Sequence, residues 1–356
     1  MNPYHKNDLQ IPTYTSDGYL VTNSIGEIVR LTSGGNYTGM EFSEIDFSFI
    51  TIRADFSQAS FNHCFFNMTD VSGSDFTEAT LHDCFIASSA FMWTNSCNLT
   101  ITQSFLSEVR FAFSNLKAAN IEANIDDTNF RDVNLSGANF LKSKISNCEF
   151  TDATCLEMSI SHSSLENIEF TNSDLRWLNL EDSTADYLTF SHCNLAGSTL
   201  KSVFSTNGYW RFASTDLTAA RFSMCHAEHS TWNRTSLFGV VMERCNWFKG
   251  KMNLCVIEHS TFASVGWNET IFTDVQLQNV DAHALRLRFS QFKNCLMIDS
   301  TIANSSWEFC QFHATETENL TILNPAHVES TKWHSGYKPT NAPHPAPNEM
   351  SDEESE

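Results

Sequence analysis

Few side chains in this sequence stand at spacings that metal binding or catalysis would use. The strongest cluster is Cys225 and His226 with His229, which supplies ligand types that zinc prefers. The repeat described below turns Cys225 inward and both histidines outward. The three side chains could therefore meet at one tetrahedral site only if the regular repeat were disrupted there. There is also no nucleophile elbow, phosphate-binding loop or HExxH pair. We therefore expect no metal, no cofactor and no catalytic residues, and the sequence predicts a protein that is not an enzyme.

A five-residue period runs through the chain, most regularly from Thr215 to Asn324. Every fifth residue from Leu217 to Ile322 gives 22 positions, of which 19 are large and apolar. The residue two places earlier is small in 20 of the 22 repeats, and all 19 charged residues of the stretch fall on the other three positions. Neither the period of a helix nor that of a strand fits. A chain that turns a corner every five residues does fit, and such self-similarity is typical of a solenoid.

The segments Ala138–Phe140, Ser173–Leu175 and Thr215–Leu217 resemble the pentapeptide-repeat family. Its loose consensus is a small residue, Asp or Asn, Leu or Phe, and two polar residues. The resemblance covers approximately residues 40–324. It implies an all-β fold, a right-handed quadrilateral parallel β-helix with four repeats to a coil, and here about thirteen coils. The central Leu or Phe and the small residue two places before it would fill the interior.

The cysteines follow the same pattern. They alternate with Ala, Ser, Thr and Val, as small buried hydrophobic residues do. We therefore expect reduced thiols in the core, and the odd count of eleven agrees with this. Cys155 takes a central position, and the other ten take the small inward position: Cys64, Cys84, Cys97, Cys148, Cys193, Cys225, Cys245, Cys255, Cys295 and Cys310.

Composition excludes several classes of function. The chain has 42 acidic and 21 basic residues and a net charge of −21, which argues against direct nucleic-acid binding because phosphate binding needs a basic surface. No apolar run approaches the length of a membrane span, and the first residues lack the apolar core of a secretory signal. We expect a cytoplasmic protein without membrane contact. The alternative is export by a secretion system that uses no signal peptide.

The pattern divides the chain into five segments. Residues 1–37 lie outside the repeat and predict an N-terminal cap with a short β-hairpin, because an open solenoid end exposes unpaired backbone. Residues 38–202 and 215–324 predict the first and second parts of the solenoid. Between them, residues 203–214 predict either an irregular coil with two extra residues or a loop thrown out from one corner. Residues 325–356 predict a disordered Pro-rich acidic tail.

Three sets of residues are candidate contacts for a partner protein. With 20 residues to a coil, residues 20 apart stack on one face, and this arithmetic gives a stripe of carboxylates. The irregular segment and outward aromatic rings supply the other two sets. The stripe is Asp132, Glu149, Asp152, Glu166, Glu169 and Asp186; the loop set is Asn207, Tyr209, Trp210 and Arg211; the aromatic set is Trp93, Trp177, Phe289 and Phe309.

Two functions follow from these observations and from the resemblance. The first is a non-enzymatic protein-binding scaffold. Quinolone-resistance members of the pentapeptide-repeat family are similar in being acidic rods of duplex-like width, which implies a DNA mimic that binds a type II topoisomerase such as DNA gyrase. The second is a structural or adaptor protein, or an exported effector, of a bacterial secretion system such as type VI. The resemblance also leaves a homodimer open.

Overall fold

The computed structural model describes residues 9–329 and 331–334. The chain divides into two compact units, residues 1–183 and 184–356. The described residues form strands, turns and bends, with no helix, and therefore none that could cross a membrane. Parallel strands wind into a right-handed β-solenoid with about fourteen turns in all, which confirms the predicted fold class.

A small antiparallel sheet precedes the solenoid. Its order is β1-β2-β3, and the two strands of the predicted hairpin are β2 and β3. The backbone of Gln10 also pairs with the first turn, since its N–H donates to Glu44 (2.7 Å) and its carbonyl accepts from Asp46 (2.9 Å). The three strands are β1 (Thr13–Thr15), β2 (Gly18–Thr22) and β3 (Ile28–Leu31).

Twelve strands follow as far as the boundary between the units. They are β4 (Glu41–Ser43), β5 (Ser60–Asn62), β6 (Phe65–Asn67), β7 (Thr80–His82), β8 (Phe85–Ala87), β9 (Thr100–Ser107), β10 (Asn120–Asp126), β11 (Asn139–Leu141), β12 (Lys144–Thr151), β13 (Ser159–Ser161), β14 (Ser164–Thr171) and β15 (Asn179–Ser191). Strand β15 begins in the first unit and ends in the second.

In the described part of the second unit, 25 further strands follow, most of them three residues long. They are β16 (Thr199–Phe204), β17 (Trp210–Ala213), β18 (Arg221–Ser223), β19 (His226–Glu228), β20 (Thr231–Asn233), β21 (Ser236–Phe238), β22 (Val241–Glu243), β23 (Asn246–Phe248), β24 (Lys251–Asn253), β25 (Val256–Glu258), β26 (Thr261–Ala263), β27 (Gly266–Asn268), β28 (Ile271–Thr273), β29 (Gln276–Gln278), β30 (Asp281–His283), β31 (Arg286–Arg288), β32 (Gln291–Lys293), β33 (Leu296–Ile298), β34 (Thr301–Ala303), β35 (Ser306–Glu308), β36 (Gln311–His313), β37 (Glu316–Glu318), β38 (Thr321–Leu323), β39 (His327–Glu329) and β40 (Lys332–His334).

The corners explain the five-residue period, and the repeat around Leu135 shows how they form. The side-chain oxygen of Asn134 accepts the N–H of Ser136 (3.1 Å), which is why Asp or Asn recurs before the central residue. Gly137 takes φ +68°, and the N–H of Ala138 donates to the carbonyl of Leu135 (2.9 Å). Most other corners place a non-glycine residue in the same left-handed conformation, with φ between 43° and 63°.

The inward side chains stack from turn to turn. In the first unit Phe130, Phe150 and Phe170 lie one above the next with ring centroids 4.6 Å apart. The small inward position is satisfied by hydrogen bonds, since the hydroxyl of Ser173 donates to the carbonyl of Phe150 (2.9 Å) and accepts from the N–H of Ala153 (3.1 Å). Small polar residues are therefore tolerated inside the solenoid where the hydroxyl has a partner, as that of Ser173 does; the buried hydroxyl of Ser230 has none.

The second unit repeats this arrangement with a larger share of tryptophan. Residues 20 apart pair in register, as Trp247 does with Trp267. The rings of Phe272, Phe292 and Phe312 stack at 4.5 and 4.7 Å. All five side chains are buried, as the five-residue frame predicts.

The inward placement predicted for Cys97 is wrong. Ser96 takes the central position there and is buried, and its hydroxyl donates to Thr94 Oγ1 (3.0 Å). Cys97 is half-buried on the outer side, where its sulfur accepts from the side-chain amide of Asn115 (2.9 Å). Because Ser96 is polar, the hydrophobic pattern did not identify it as a central residue, and the position of Cys97 in the repeat was predicted wrongly.

The repeats also extend past their predicted end at residue 324. Strand β39 pairs in parallel with β35, and β40 pairs with β36, so the prediction of disorder is wrong for these two strands. Pro325 cannot donate, but the N–H of Ala326 donates to Ser305 (2.9 Å) and resumes the ladder. Residues 335–356 of the predicted tail lie outside the described residues.

A substitution in the aromatic stack tests this account of the core. Phe130→Ala removes a fully buried ring between two stacked neighbours, and we expect it to lower the free energy of unfolding by about 3–5 kcal/mol. Phe49→Ala is the matched control, because Phe49 is 67% exposed and should change stability by about 0.5 kcal/mol or less. Urea denaturation measures both, and equal losses would contradict the assignment.

Candidate functional site

Four of the six predicted stripe carboxylates share one side of the first unit. Glu149 and Glu169 are paired in register on β12 and β14. Asp132 and Asp152 occupy left-handed corners one turn apart on the same side, and Asp152 lies in the same repeat as Glu149. Three of the four are exposed, whereas Asp132 is half-buried and ion-paired with Arg131 (3.2 Å). We call Asp132, Glu149, Asp152 and Glu169 the acidic face.

The other two predicted stripe residues lie elsewhere. Glu166 is exposed on β14, paired in register with Ser146, on the side of the turn next to the acidic face. Asp186 belongs to the second unit and is half-buried. Its role as a surface contact is a wrong prediction, because its carboxylate is occupied within the fold.

The carboxylate of Asp186 closes the irregular segment. Its Oδ1 accepts from the hydroxyl of Ser205 (2.8 Å) and from the N–H groups of Thr206 (2.7 Å), Asn207 (3.1 Å) and Gly208 (3.1 Å). Burial acts to raise the pKa of Asp186, but these hydrogen bonds outweigh it and hold that pKa below its usual value.

This segment is an irregular coil with two extra residues, the first of the two predicted alternatives. Leu188 pairs with Trp210, 22 residues later, whereas Arg211 pairs with Thr231, 20 residues later. Gly208 is needed at the corner, because a Cβ there would lie 2.5 Å from the backbone nitrogen of Tyr187. The extra length is therefore absorbed close to the body of the solenoid within one turn.

The predicted loop contacts divide between surface and core. Trp210 is fully buried and its indole N–H donates to the carbonyl of Ala185 (2.8 Å), so it is wrong as a partner contact. Asn207 and Arg211 are exposed. Tyr209 is half-buried, with the Arg211 guanidinium 5.5 Å from its ring centroid. These three remain available at the surface.

The predicted aromatic contacts all stand at left-handed corners. Trp93 (φ 53°) stacks on Phe113 (φ 62°) with centroids 5.2 Å apart and planes 6° from parallel. Phe289 stacks on Phe309 at 4.9 Å, and Arg288 lies over Phe289. Trp177 is 53% exposed, and the Arg176 guanidinium lies 5.5 Å from its ring centroid. Bulky residues are rare in this conformation, so neither the backbone nor the core explains their presence.

Among the described residues, five further exposed apolar residues stand at left-handed corners and were not among the predicted contacts: Phe49, Met68, Phe113, Met224 and Leu254. Phe113 and Phe49 are 45% and 67% exposed, and Met68 is 58% exposed. Each lies two residues after a central position and has a positive φ. The five-residue frame already placed these residues outward, so the available signal was an apolar residue at a corner position.

The cysteines form no candidate reactive site. All eleven are free, and ten are buried. Burial raises the pKa of Cys148 to about 12 and of Cys295 and Cys310 to about 11. Within residues 9–329 and 331–334, no group of three or more His, Cys, Asp or Glu side chains could hold a metal ion.

Two family models match the sequence at segments where these turns occur. One, described as a pentapeptide repeat region, matches residues 123–200, and the other, pentapeptide repeats in eight copies, matches residues 54–86. This chain is a pentapeptide-repeat protein. Members of the family are generally non-enzymatic scaffolds. No curated protein matches the chain by sequence.

Among solved structures, this pentapeptide-repeat protein is similar to two others with the same repeat. HetL, involved in heterocyst differentiation regulation in the cyanobacterium Nostoc, is 15% identical, with a TM-score of 0.31 over 66% of this chain and 87% of HetL. Trypsin-treated QnrB1, a plasmid-mediated fluoroquinolone resistance protein, is 12% identical, with a TM-score of 0.29 over 61% of this chain and 90% of QnrB1. At such scores neither neighbour informs the function.

Thiol accessibility tests the placement of the cysteines. We expect the native protein to react with a disulfide reagent at Cys97 alone at about pH 8, because the other ten thiols are buried and shielded from the reagent. Denatured protein should titrate all eleven. Mass spectrometry counts the modified residues. Rapid modification of Cys245 or Cys255 in native protein would contradict the buried placement of these thiols.

The raised thiol pKa values also predict a loss of stability in alkali. The unfolded thiols ionise near about pH 8.5, so their neutral buried forms stabilise the fold fully below that pH and progressively less up to the folded pKa values.

A second substitution tests the closure of the irregular segment. Asp186→Ala leaves three backbone N–H groups without their acceptor, and we expect the free energy of unfolding to fall by about 2–3 kcal/mol at neutral pH. Because the folded pKa of Asp186 is lowered, its contribution is complete above about pH 4 and is lost as the pH falls through the folded pKa. Urea denaturation at neutral and acidic pH should therefore show the variant approaching wild type in acid. An undiminished difference in acid would contradict this role.

Proposed function

We propose that this pentapeptide-repeat protein is a non-enzymatic scaffold that binds another protein, and that the acidic face imitates DNA on a type II topoisomerase such as DNA gyrase. The single observation that carries the proposal is the stacking of Asp132, Glu149, Asp152 and Glu169 on one side of three successive turns. The proposal assumes a cytoplasmic protein, where gyrase acts.

The spacing of the acidic face supports the comparison with DNA. Neighbouring turns are separated by about 4.8 Å, so four carboxylates on three turns give one charge per about 3.6 Å. Duplex DNA carries one negative charge per about 1.7 Å of its axis. The pairing of Asp132 with Arg131 lowers the net density at one end. A protein surface adapted to DNA phosphates would therefore meet a row of negative charges whose spacing is of the same order as in DNA.

Electrostatics also gives a reason for the arrangement to exist. Like charges paired directly across neighbouring strands are destabilising, as for Glu149 and Glu169. The fold does not need them, because both side chains point outward and are exposed. A basic partner would remove this repulsion and would be steered by the negative potential of the chain.

The corner aromatics of the first unit supply a second kind of contact. The Trp93–Phe113 pair is exposed and pre-stacked, so it would lose little conformational freedom on binding. Trp is enriched among residues that contribute most to protein–protein affinity. The first unit therefore offers both a charged row and an aromatic anchor, as a protein-binding scaffold requires.

A supercoiling assay with purified gyrase tests the proposal. We expect the wild-type protein to inhibit gyrase, or to protect it from a quinolone, at micromolar concentration. Neutralising the acidic face with Asp132→Asn, Glu149→Gln, Asp152→Asn and Glu169→Gln should weaken this effect at least tenfold, because charge-assisted contacts are lost. The effect should also decline with added salt.

A matched control has the same change in charge in the second unit: Glu258→Gln, Asp274→Asn, Asp281→Asn and Glu316→Gln. It should behave as wild type. Absence of any effect at micromolar wild-type protein, or equal weakening by the control, would overturn the assignment of gyrase and of the acidic face. Circular dichroism of both variants shows whether the fold is retained.

A further inference from the structure

The second unit has a surface depression centred on Gly266. Its volume is about 410 Å³, and six polar or glycine residues account for most of its lining: Arg244, Asn246, Ser264, Gly266, Asn268 and Arg286. Small-molecule sites typically measure about 300–1,000 Å³. The depression is therefore large enough for a small molecule.

The missing side chain of Gly266 creates the space. Gly266 is paired in register with Asn246 on the preceding turn and with Arg286 on the next, and both neighbours carry outward side chains. A Cβ on Gly266 would lie 2.8 Å from Asn246 Oδ1 and 3.5 Å from Asn268 Nδ2. The glycine does not lie at a left-handed corner, so the backbone conformation does not require it.

Two arginines flank this space without a carboxylate partner. Across the described ranges 9–329 and 331–334, the guanidinium groups of Arg244 and Arg286 form no ion pair and no hydrogen bond. Arg288, on the same strand as Arg286, is paired with Glu308 (3.2 Å) and lies over Phe289. Two unpaired arginines around one depression are unexpected in a chain with twice as many acidic as basic residues.

The strand positions above and below the depression also lack negative charge. The register that passes through Gly266 runs from His226 and Asn246 to Arg286 and Ser306, and it contains no carboxylate. Next to it, Asn268 is paired in register with Phe248 on the preceding turn, and Arg288 occupies the corresponding position on the next strand, so neither neighbour is a carboxylate. Positive charge at the depression is therefore not cancelled by the residues stacked directly over it.

We propose that this depression binds a small molecule through a phosphate or carboxylate group. The guanidinium groups of Arg244 and Arg286 approach the oxyanion from opposite turns, and planar guanidinium donors suit its geometry. The hydroxyl of Ser264 and the side-chain amides of Asn246 and Asn268 supply further donors at the rim. This site is independent of the acidic face, which belongs to the first unit.

Calorimetry on the full-length protein tests the site, with inorganic phosphate and citrate as probes and sodium chloride to match ionic strength. We expect at least one probe to bind with a dissociation constant of about 1 mM or lower. Arg244→Gln and Arg286→Gln should each weaken that binding by about tenfold, because each removes a charge-assisted contact. Gly266→Leu should abolish it by filling the space.

Arg288→Gln is the matched control, because it removes one arginine from the same strand but outside the depression. It should leave the affinity within about twofold of wild type. Binding of phosphate but not citrate would identify a phosphate site, and the reverse would identify a carboxylate site. Failure of both probes to bind at about 10 mM, or an equal loss in Arg288→Gln, would overturn the proposal. The Arg variants decide the outcome if Gly266→Leu does not fold.

Discussion

The left-handed corner is the constraint on which this fold depends. One residue in nearly every repeat adopts a positive φ, which is unfavourable for most side chains. The corner turns the chain so that one large and one small side chain point inward on each side, and the parallel ladder then joins each turn to the next. Stacked rings such as Phe130 and Phe150 stabilise the result. Corner side chains point outward, so the core does not determine which residues stand there.

This division between core and corner explains how far sequence could predict the fold. The central and small positions are set by burial, and their types therefore repeat strongly enough to give the fold class and register. The pattern fails where a satisfied polar residue replaces an apolar one, as Ser96 does. It also fails after Pro325, where composition indicated disorder but the backbone ladder resumes at Ala326. Backbone hydrogen bonds place few restrictions on the types of side chains, so the sequence does not reveal them.

The candidate surfaces also differ in how far the sequence could predict them. The acidic face follows from counting, because residues 20 apart stack wherever the turn has 20 residues. Asp186 could not be assigned in this way, since its hydrogen bonds depend on a turn of unusual length. The depression at Gly266 gave no pattern signal, because a single glycine in a strand does not show which side chains surround it. Its meaning appears only when Arg244 and Arg286 are placed on the two turns that flank Gly266.

The irregular segment between Ser205 and Tyr209 has a consequence for changes in chain length. Two additional residues enter there, yet the spacing returns to 20 residues in the next turn, from Arg211 to Thr231. The solenoid thus accommodates two additional residues in one turn because the Asp186 carboxylate accepts the backbone N–H groups that the extra residues bring. A turn can therefore be longer by two residues without any change in the 20-residue spacing of the turn that follows it.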